Sequence, residues 1–143
     1  MNLKNEDHPY IGVDAIIIND EGKVLLQKRS ANNQFFPNHW GLVGGWMEWG
    51  ETVEDALKRE AQEEVGVEIE VVKFIGKYYD ALDRHPTKTS VALPHICKIV
   101  SGKPRVNQLS EVQDVGWFDP KEIEEMTLYY DHKQMLKDAG IIN

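Results

Sequence analysis

The chain has 143 residues, 41% of them hydrophobic, and its 24 acidic and 16 basic side chains give a formal net charge of −8. This length and composition predict a single globular domain over residues 1–143. The acidic balance argues against nucleic acid or an anionic membrane as a partner, and no stretch approaches the ~20 apolar residues of a membrane-spanning helix.

Runs rich in apolar and β-branched residues recur along the chain between polar or glycine-containing segments, and such runs predict strands. A tight turn should join the first two strands, with Asp20 bonding the backbone ahead of it and Gly22 at a positive φ. Gly76 predicts a break in the fourth strand. In chain order the predicted strands are residues 11–19, 23–29, 39–45, 67–82, 90–100 and 112–119.

Residues 52–65 carry the clearest helix signal in the chain. Thr52 and Asp55 form a capping-box-like pair before it, and Gly66 suits the left-handed position after it. Two short helices are predicted at residues 120–126 and 130–139. Because strands stand before, between and after the helices, we expect an α/β (α+β) sandwich with a mixed sheet.

The helix at residues 52–65 places carboxylates where apolar side chains are expected. On a helical wheel Glu60 and Glu64 fall inside the arc of the apolar residues, and Glu63 falls just outside it. Burying unpaired carboxylates is costly, so they must be protonated, paired with a cationic side chain or bound to a cation. Arg59 is poorly aimed at Glu60 or Glu64 on this wheel. Helix spacing alone leaves a solvated acidic helix end equally acceptable.

The surrounding segment, GGWMEWGETVEDALKREAQEEVGV at 44–67, resembles the Nudix box. That pattern is Gly, five residues, Glu, seven residues, Arg-Glu-aliphatic, one residue, Glu-Glu, one residue and Gly-aliphatic. Ala61 is smaller than the usual aliphatic residue, and Val43 replaces a proline that often precedes the glycines. The hairpin before the box and VGWFDPKEI after it also look like the family. The fixed positions that match are Gly45, Glu51, Arg59, Glu60, Glu63, Glu64 and Gly66.

The resemblance implies a Nudix-type α/β/α sandwich with a central mixed β-sheet. It implies hydrolysis of a diphosphate bond in a nucleoside diphosphate linked to another group, with Mg²⁺ or Mn²⁺ as cofactor. The metal ligands it implies are Glu60, Glu63 and Glu64, with the main-chain carbonyl of Gly44. Glu51 and Arg59 are implied as an ion pair that braces the loop opened by Gly45. A small nucleotide is the implied partner, and a homodimer is an open option.

Diphosphate hydrolysis also needs a base for the attacking water. Within the box Glu60 is the first choice, beside Glu64 as a catalytic metal ligand. Many members of the family use an acid outside the box, for which Glu111 is the best-placed candidate. An exposed loop acid is the alternative interpretation of Glu111.

Three residues outside the helix are candidate substrate contacts. Arg29 ends the second strand near the expected phosphates, or else it pairs with a surface acid. Trp46, with Trp49 nearby, could stack on a base, or else packs the loop or a dimer contact. Arg84 lies in a cationic loop that could meet a diphosphate or could be a solvated hairpin tip. The other cationic members of that loop are His85 and Lys88.

Three functions remain open from the sequence. The first is hydrolysis of a nucleoside diphosphate derivative such as ADP-ribose or a nucleotide sugar. The second is pyrophosphohydrolysis of nucleoside triphosphates, including oxidised ones, as in MutT-like proteins. The third is a non-catalytic nucleotide-binding domain, against which the complete set of box acids argues. The single cysteine, Cys97, and the absence of an apolar leader favour a reduced, cytoplasmic protein.

Overall fold

A computed structural model of the chain describes residues 8–143. The described residues form a mixture of strands and helices in an order close to the predicted one. They are β1 (Tyr10–Ile17), β2 (Val24–Arg29), β3 (Trp40–Gly41), β4 (Val43–Trp46), α1 (Val53–Val65), β5 (Glu68–Phe74), β6 (Ser90–Ser101), β7 (Val112–Phe118), α2 (Pro120–Glu124) and α3 (His132–Asp138).

The strands form two sheets. The larger has the order β4-β1-β6-β5, and the smaller has the order β3-β2-β7. β1 and β6 run parallel, whereas β1 pairs with β4, and β5 with β6, in antiparallel fashion. The predicted mixed sheet is therefore confirmed.

Alternate residues of β1 and β2 face two separate hydrophobic cores, as the two-residue period of a strand requires. Ile17 and Leu25 pack with Leu57 of α1 on one side. Ile16 and Leu26 pack on the other side, in the core that includes residues of α2 and α3. Helices therefore cover both sides of the strands, and the expected sandwich is confirmed. None of the helices among residues 8–143 is long and apolar enough to cross a membrane.

Local signals at the ends of α1 act as predicted. The Thr52 side chain accepts from the Asp55 N–H, the Asp55 carboxylate accepts from the Thr52 N–H, and Gly66 ends the helix at φ 69°. In the turn before β2, Gly22 has φ 78°. The expected role of Asp20 there is wrong, because Asn19 Oδ1 accepts from the N–H groups of residues 21 and 23 instead.

Several element boundaries differ from the prediction, and three of the differences have a clear structural cause. The predicted strand 39–45 is divided at Leu42, because its N–H donates to the His132 ring and not to a neighbouring strand. β5 stops at Phe74, so the predicted strand 67–82 is too long, and Gly76 follows at φ 84°. The last helix begins two residues late because Tyr130 has φ 51°, which is outside the helical region.

Candidate active site

A cavity of about 590 Å³ opens beside α1, β4 and the loops at residues 30–38 and 83–89. One part of its lining is acidic and another is cationic, so a single cavity offers both kinds of group. The acidic residues in the lining are Asp14, Glu48, Glu60, Glu63, Glu64 and Glu111. The cationic residues are Arg29, Arg59, Arg84 and Lys88.

Glu64 is the most buried carboxylate of the helix, with 8% of its surface exposed. Its Oε1 accepts from the Gly44 N–H at 2.9 Å, and its Oε2 accepts from Gln27 Nε2 at 2.9 Å. Burial raises the pKa of Glu64 well above its ordinary value, the negative charge of Glu60 adds to this, and the two hydrogen bonds oppose it. The side chain is thus held in one position next to the glycines of β4.

Glu60 points to the same place from one turn earlier, with 13% of its side chain exposed. Burial raises the pKa of Glu60 to about 7, and the hydrogen bond from Arg59 opposes the rise. A Cβ atom at Gly45 would lie 2.5 Å from Glu60 Oε1, so a side chain at this position would displace the carboxylate. Glu63 is more open, with 47% of its side chain exposed, as its position at the edge of the wheel predicts.

Arg59 connects the loop before α1 to the helix acids. Its Nε and Nη2 donate to both oxygens of Glu51, at 2.6 and 3.1 Å, and Nη2 also donates to the Trp46 carbonyl at 2.9 Å. Its Nη1 lies 2.8 Å from Glu60 and 3.3 Å from Glu63. The expectation that Arg59 is poorly aimed at Glu60 is wrong, because its Nη1 donates to Glu60 Oε1.

The carboxylates fit a hard divalent cation in their chemistry. Mg²⁺ and Mn²⁺ prefer oxygen ligands, and two of these acids are buried at raised pKa, where a bound cation would stabilise the ionised form. Between residues 8 and 143, no three His, Cys, Asp or Glu side chains are already grouped for metal binding. Glu60 and Glu63 instead both accept from the Arg59 guanidinium, which supplies the positive charge between them.

The predicted substrate contacts Arg29 and Trp46 both line the cavity. The Arg29 guanidinium donates to the Phe35 carbonyl at 2.9 Å and lies 5.0 Å from the centre of the Tyr129 ring. Its alternative pairing with a surface acid is not found among the described residues. Trp46 is half-buried, whereas Trp49 is 95% exposed and lies outside this cavity.

Arg84 is not at a solvated hairpin tip, because only 6% of its side chain is exposed. Its Nε and Nη2 donate to the two oxygens of Asp131, at 3.0 and 2.9 Å, and Nη1 donates to Ser90 Oγ at 2.7 Å. Arg84 therefore fixes the loop at residues 83–89 to the start of α3. Glu111 is exposed, lines the cavity, and is tied through its carbonyl to the Ser30 N–H.

The sequence analysis missed three buried polar residues of the site. Gln27 holds Glu64, and His132 lies 3.0 Å from Asp14 through Nε2 while its Nδ1 accepts from the Leu42 N–H. Asp14 is a single charged residue inside the apolar run of β1, and that interruption was the available signal, whereas Gln27 stands beside Lys28 and Arg29 at the polar end of β2. The histidine carried no such signal, because its partners come from distant parts of the chain.

Comparison with known proteins identifies the family of this chain. Residues 8–139 match the NUDIX domain family. An ADP-ribose pyrophosphatase from Methanocaldococcus jannaschii is 33% identical over 131 residues, which are 92% of this chain and 73% of that protein. The nucleoside triphosphatase NudI from Escherichia fergusonii is 29% identical over 132 residues, covering 88% of this chain and 94% of that one.

A solved structure agrees with the sequence relatives. The NUDIX domain of Shewanella oneidensis NrtR, crystallised with ADP ribose, is similar with a TM-score of 0.77 and 27% identity, and the match covers 93% of this chain and 87% of that one. Five of the seven matching box residues line the cavity, namely Gly45, Arg59, Glu60, Glu63 and Glu64. The chain belongs to the Nudix hydrolase family.

Proposed function

We propose that the protein hydrolyses the diphosphate bond of a nucleoside diphosphate linked to another group, such as ADP-ribose or a nucleotide sugar, and that the reaction depends on Mg²⁺. The main support for this function is that one cavity is lined both by the carboxylates of α1 and by cationic and aromatic side chains. The name of the M. jannaschii relative and the ADP ribose bound by the S. oneidensis domain support it.

In this proposal Glu60, Glu63 and Glu64, with the Gly44 carbonyl, hold the Mg²⁺ ion, for which Mn²⁺ can substitute. When bound, the cation offsets phosphate charge and lowers the pKa of a coordinated water. Arg29 contacts the phosphates, since it lines the cavity without a carboxylate partner among the described residues.

For the general base we propose Glu60, with Glu111 as the alternative. A base must be ionised before it accepts a proton; burial raises the pKa of Glu60 to about 7 in the metal-free protein, and a bound cation would favour its ionised form. Glu111 lines the same cavity but is exposed. The kcat of Glu111→Gln decides between them, because that variant should keep most of its activity if Glu60 is the base.

A second candidate function is pyrophosphohydrolysis of nucleoside triphosphates, which the name of the E. fergusonii relative favours. Incubation with ADP-ribose, nucleotide sugars and nucleoside triphosphates, each with Mg²⁺ or Mn²⁺, separates the two when products are resolved by chromatography. ADP-ribose should yield AMP and ribose 5-phosphate. Turnover of triphosphates to monophosphate and pyrophosphate, with none of the diphosphate derivatives cleaved, would contradict the first proposal.

The proposed metal site predicts that stability depends on pH and on the cation together. Burial raises the pKa of Glu60 from 4.5 to about 7, so between these values the unfolded chain has released a proton that the folded chain retains. The free energy of unfolding of the metal-free protein should therefore fall as pH rises through this window. Mg²⁺ should offset the loss, because it favours the ionised carboxylates.

Urea unfolding at about pH 5 and about pH 8, with EDTA or with millimolar Mg²⁺, measures this effect. We expect the stabilisation by Mg²⁺ to be larger at the higher pH and to shrink in Glu60→Gln. Equal stabilisation at both pH values would contradict the proposed ligands.

A cytoplasmic location, the lack of nucleic-acid and membrane partners, and a homodimer remain predictions.

A further inference from the structure

His85 is a cavity residue that the proposed chemistry does not use. It lies in the loop at residues 83–89, is 7% exposed, and lines the cavity. Three aromatic rings surround its imidazole. Phe35 meets it edge-on at 5.0 Å between ring centres, Trp46 lies at 5.7 Å, and Tyr130 is stacked on it at 5.7 Å.

The hydrogen bonds of the loop determine which ring nitrogen of His85 carries the proton. Nδ1 accepts from the N–H groups of Thr87 and Lys88, both at 3.1 Å. A nitrogen that accepts two backbone hydrogen bonds has its lone pair in use and carries no proton. In the neutral ring the proton is then on Nε2, which makes Nε2 a donor.

The surroundings keep this imidazole neutral. Burial lowers the pKa of His85, and the positive charges of Arg84, Lys88 and Arg29 lower it further. No acceptor for Nε2–H is found among residues 8–143, although Nδ1 is fully engaged. The pair between Arg84 and Asp131 holds the loop, so the donor is fixed before any ligand arrives.

We propose that His85 is a specificity-determining residue whose Nε2–H donates to a ring nitrogen or carbonyl oxygen of the substrate's nucleobase. The proposal rests on the proposed function, since it assigns the non-reacting end of the same substrate. A nucleobase is favoured over a sugar because the donor stands among aromatic rings, which bind flat heterocycles by stacking. A neutral donor also suits an uncharged acceptor better than the paired guanidinium of Arg84 does.

Two substitutions separate substrate binding from loop support. In His85→Asn the side-chain oxygen takes the place of Nδ1 and can accept from Thr87 and Lys88 as in an Asx turn, but the Nε2 donor is lost. In His85→Gln the amide N–H₂ reaches the place of Nε2, but the acceptor of the turn is lost. A purely structural role would therefore damage the glutamine variant more than the asparagine variant.

The test measures the Kd of the nucleoside monophosphate that binds the wild type best, and the KM for ADP-ribose and ADP-glucose. In His85→Asn we expect Kd and KM to rise about tenfold, equally for both adenine substrates, with kcat and the melting temperature kept. His85→Gln should bind closer to the wild type than His85→Asn does, despite a lower melting temperature.

Three results would overturn the assignment. The first is a Kd that is unchanged in His85→Asn. The second is binding by His85→Gln that is no tighter than binding by His85→Asn. The third is a rise in KM that differs between ADP-ribose and ADP-glucose. The absence of monophosphate binding by the wild type would overturn it as well. Failure of the proposed function is seen separately, as a wild type that binds a monophosphate but cleaves neither ADP-ribose nor ADP-glucose.

Discussion

Replacing Glu64 by Gln should lower kcat by about three orders of magnitude, equivalent to about 4 kcal/mol of transition-state stabilisation. The substitution removes the negative charge from the most buried of the proposed metal ligands while keeping the size of the side chain. Steady-state kinetics over a range of Mg²⁺ concentrations measure the loss. Excess metal should recover only part of the activity, because the amide is a poor ligand for a hard cation.

The same variant should stay folded. A neutral amide is cheaper to bury than a carboxylate, and Gln27 Oε1, which has no hydrogen-bond partner in the described structure, can accept from the new N–H₂ group after the Gln27 amide turns over. The Gly44 N–H keeps an oxygen acceptor. Melting temperature without metal should therefore match or exceed that of the wild type.

Glu54→Gln is the matched control, since it makes the same chemical change on the exposed face of α1. Glu54 only pairs with Lys58 at the surface, and more than half of its side chain is exposed. This variant should keep full activity. A non-catalytic binding domain would show no difference between the two substitutions, and that outcome would contradict the enzymatic function for this chain.

Features of the fold that depend on neighbouring residues were predictable from the sequence. The capping box at Thr52, the left-handed Gly66 and the alternation of β1 and β2 each act within a few residues. The division of β3 from β4 was not predictable, because it depends on His132, which lies 90 residues from Leu42 along the chain. Periodicity carries no information on such a contact.

The candidate site shows the same distinction. The wheel ranks burial correctly, with Glu64 and Glu60 inside and Glu63 more exposed. It misplaces Arg59, since a wheel projects Cβ directions and ignores the length of a guanidinium side chain. Gln27 was also missed, because its hydrogen bond to Glu64 forms only when α1 packs against β2 and is not evident from the sequence of the strand.

Arg59→Met should lower the free energy of unfolding by about 3 kcal/mol. It removes the partner of Glu51 and Glu60, whose side chains are only 15% and 13% exposed. Lys58→Met is the control one residue earlier, where an exposed pair with Glu54 should contribute at most about 0.5 kcal/mol. Urea unfolding measures both, and equal losses would contradict the bracing role.

Mg²⁺ should separate the two contributions of Arg59. Its contacts to Glu51 and the Trp46 carbonyl hold the loop, whereas its Nη1 balances the charge of Glu60 and Glu63. A bound cation can replace the positive charge of Arg59 beside Glu60 and Glu63. It cannot replace the two parallel hydrogen bonds from the guanidinium to Glu51. The destabilisation by Arg59→Met should therefore be smaller with saturating Mg²⁺ than with EDTA, yet remain above zero. A penalty that Mg²⁺ leaves unchanged would place the cation away from Glu60 and Glu63.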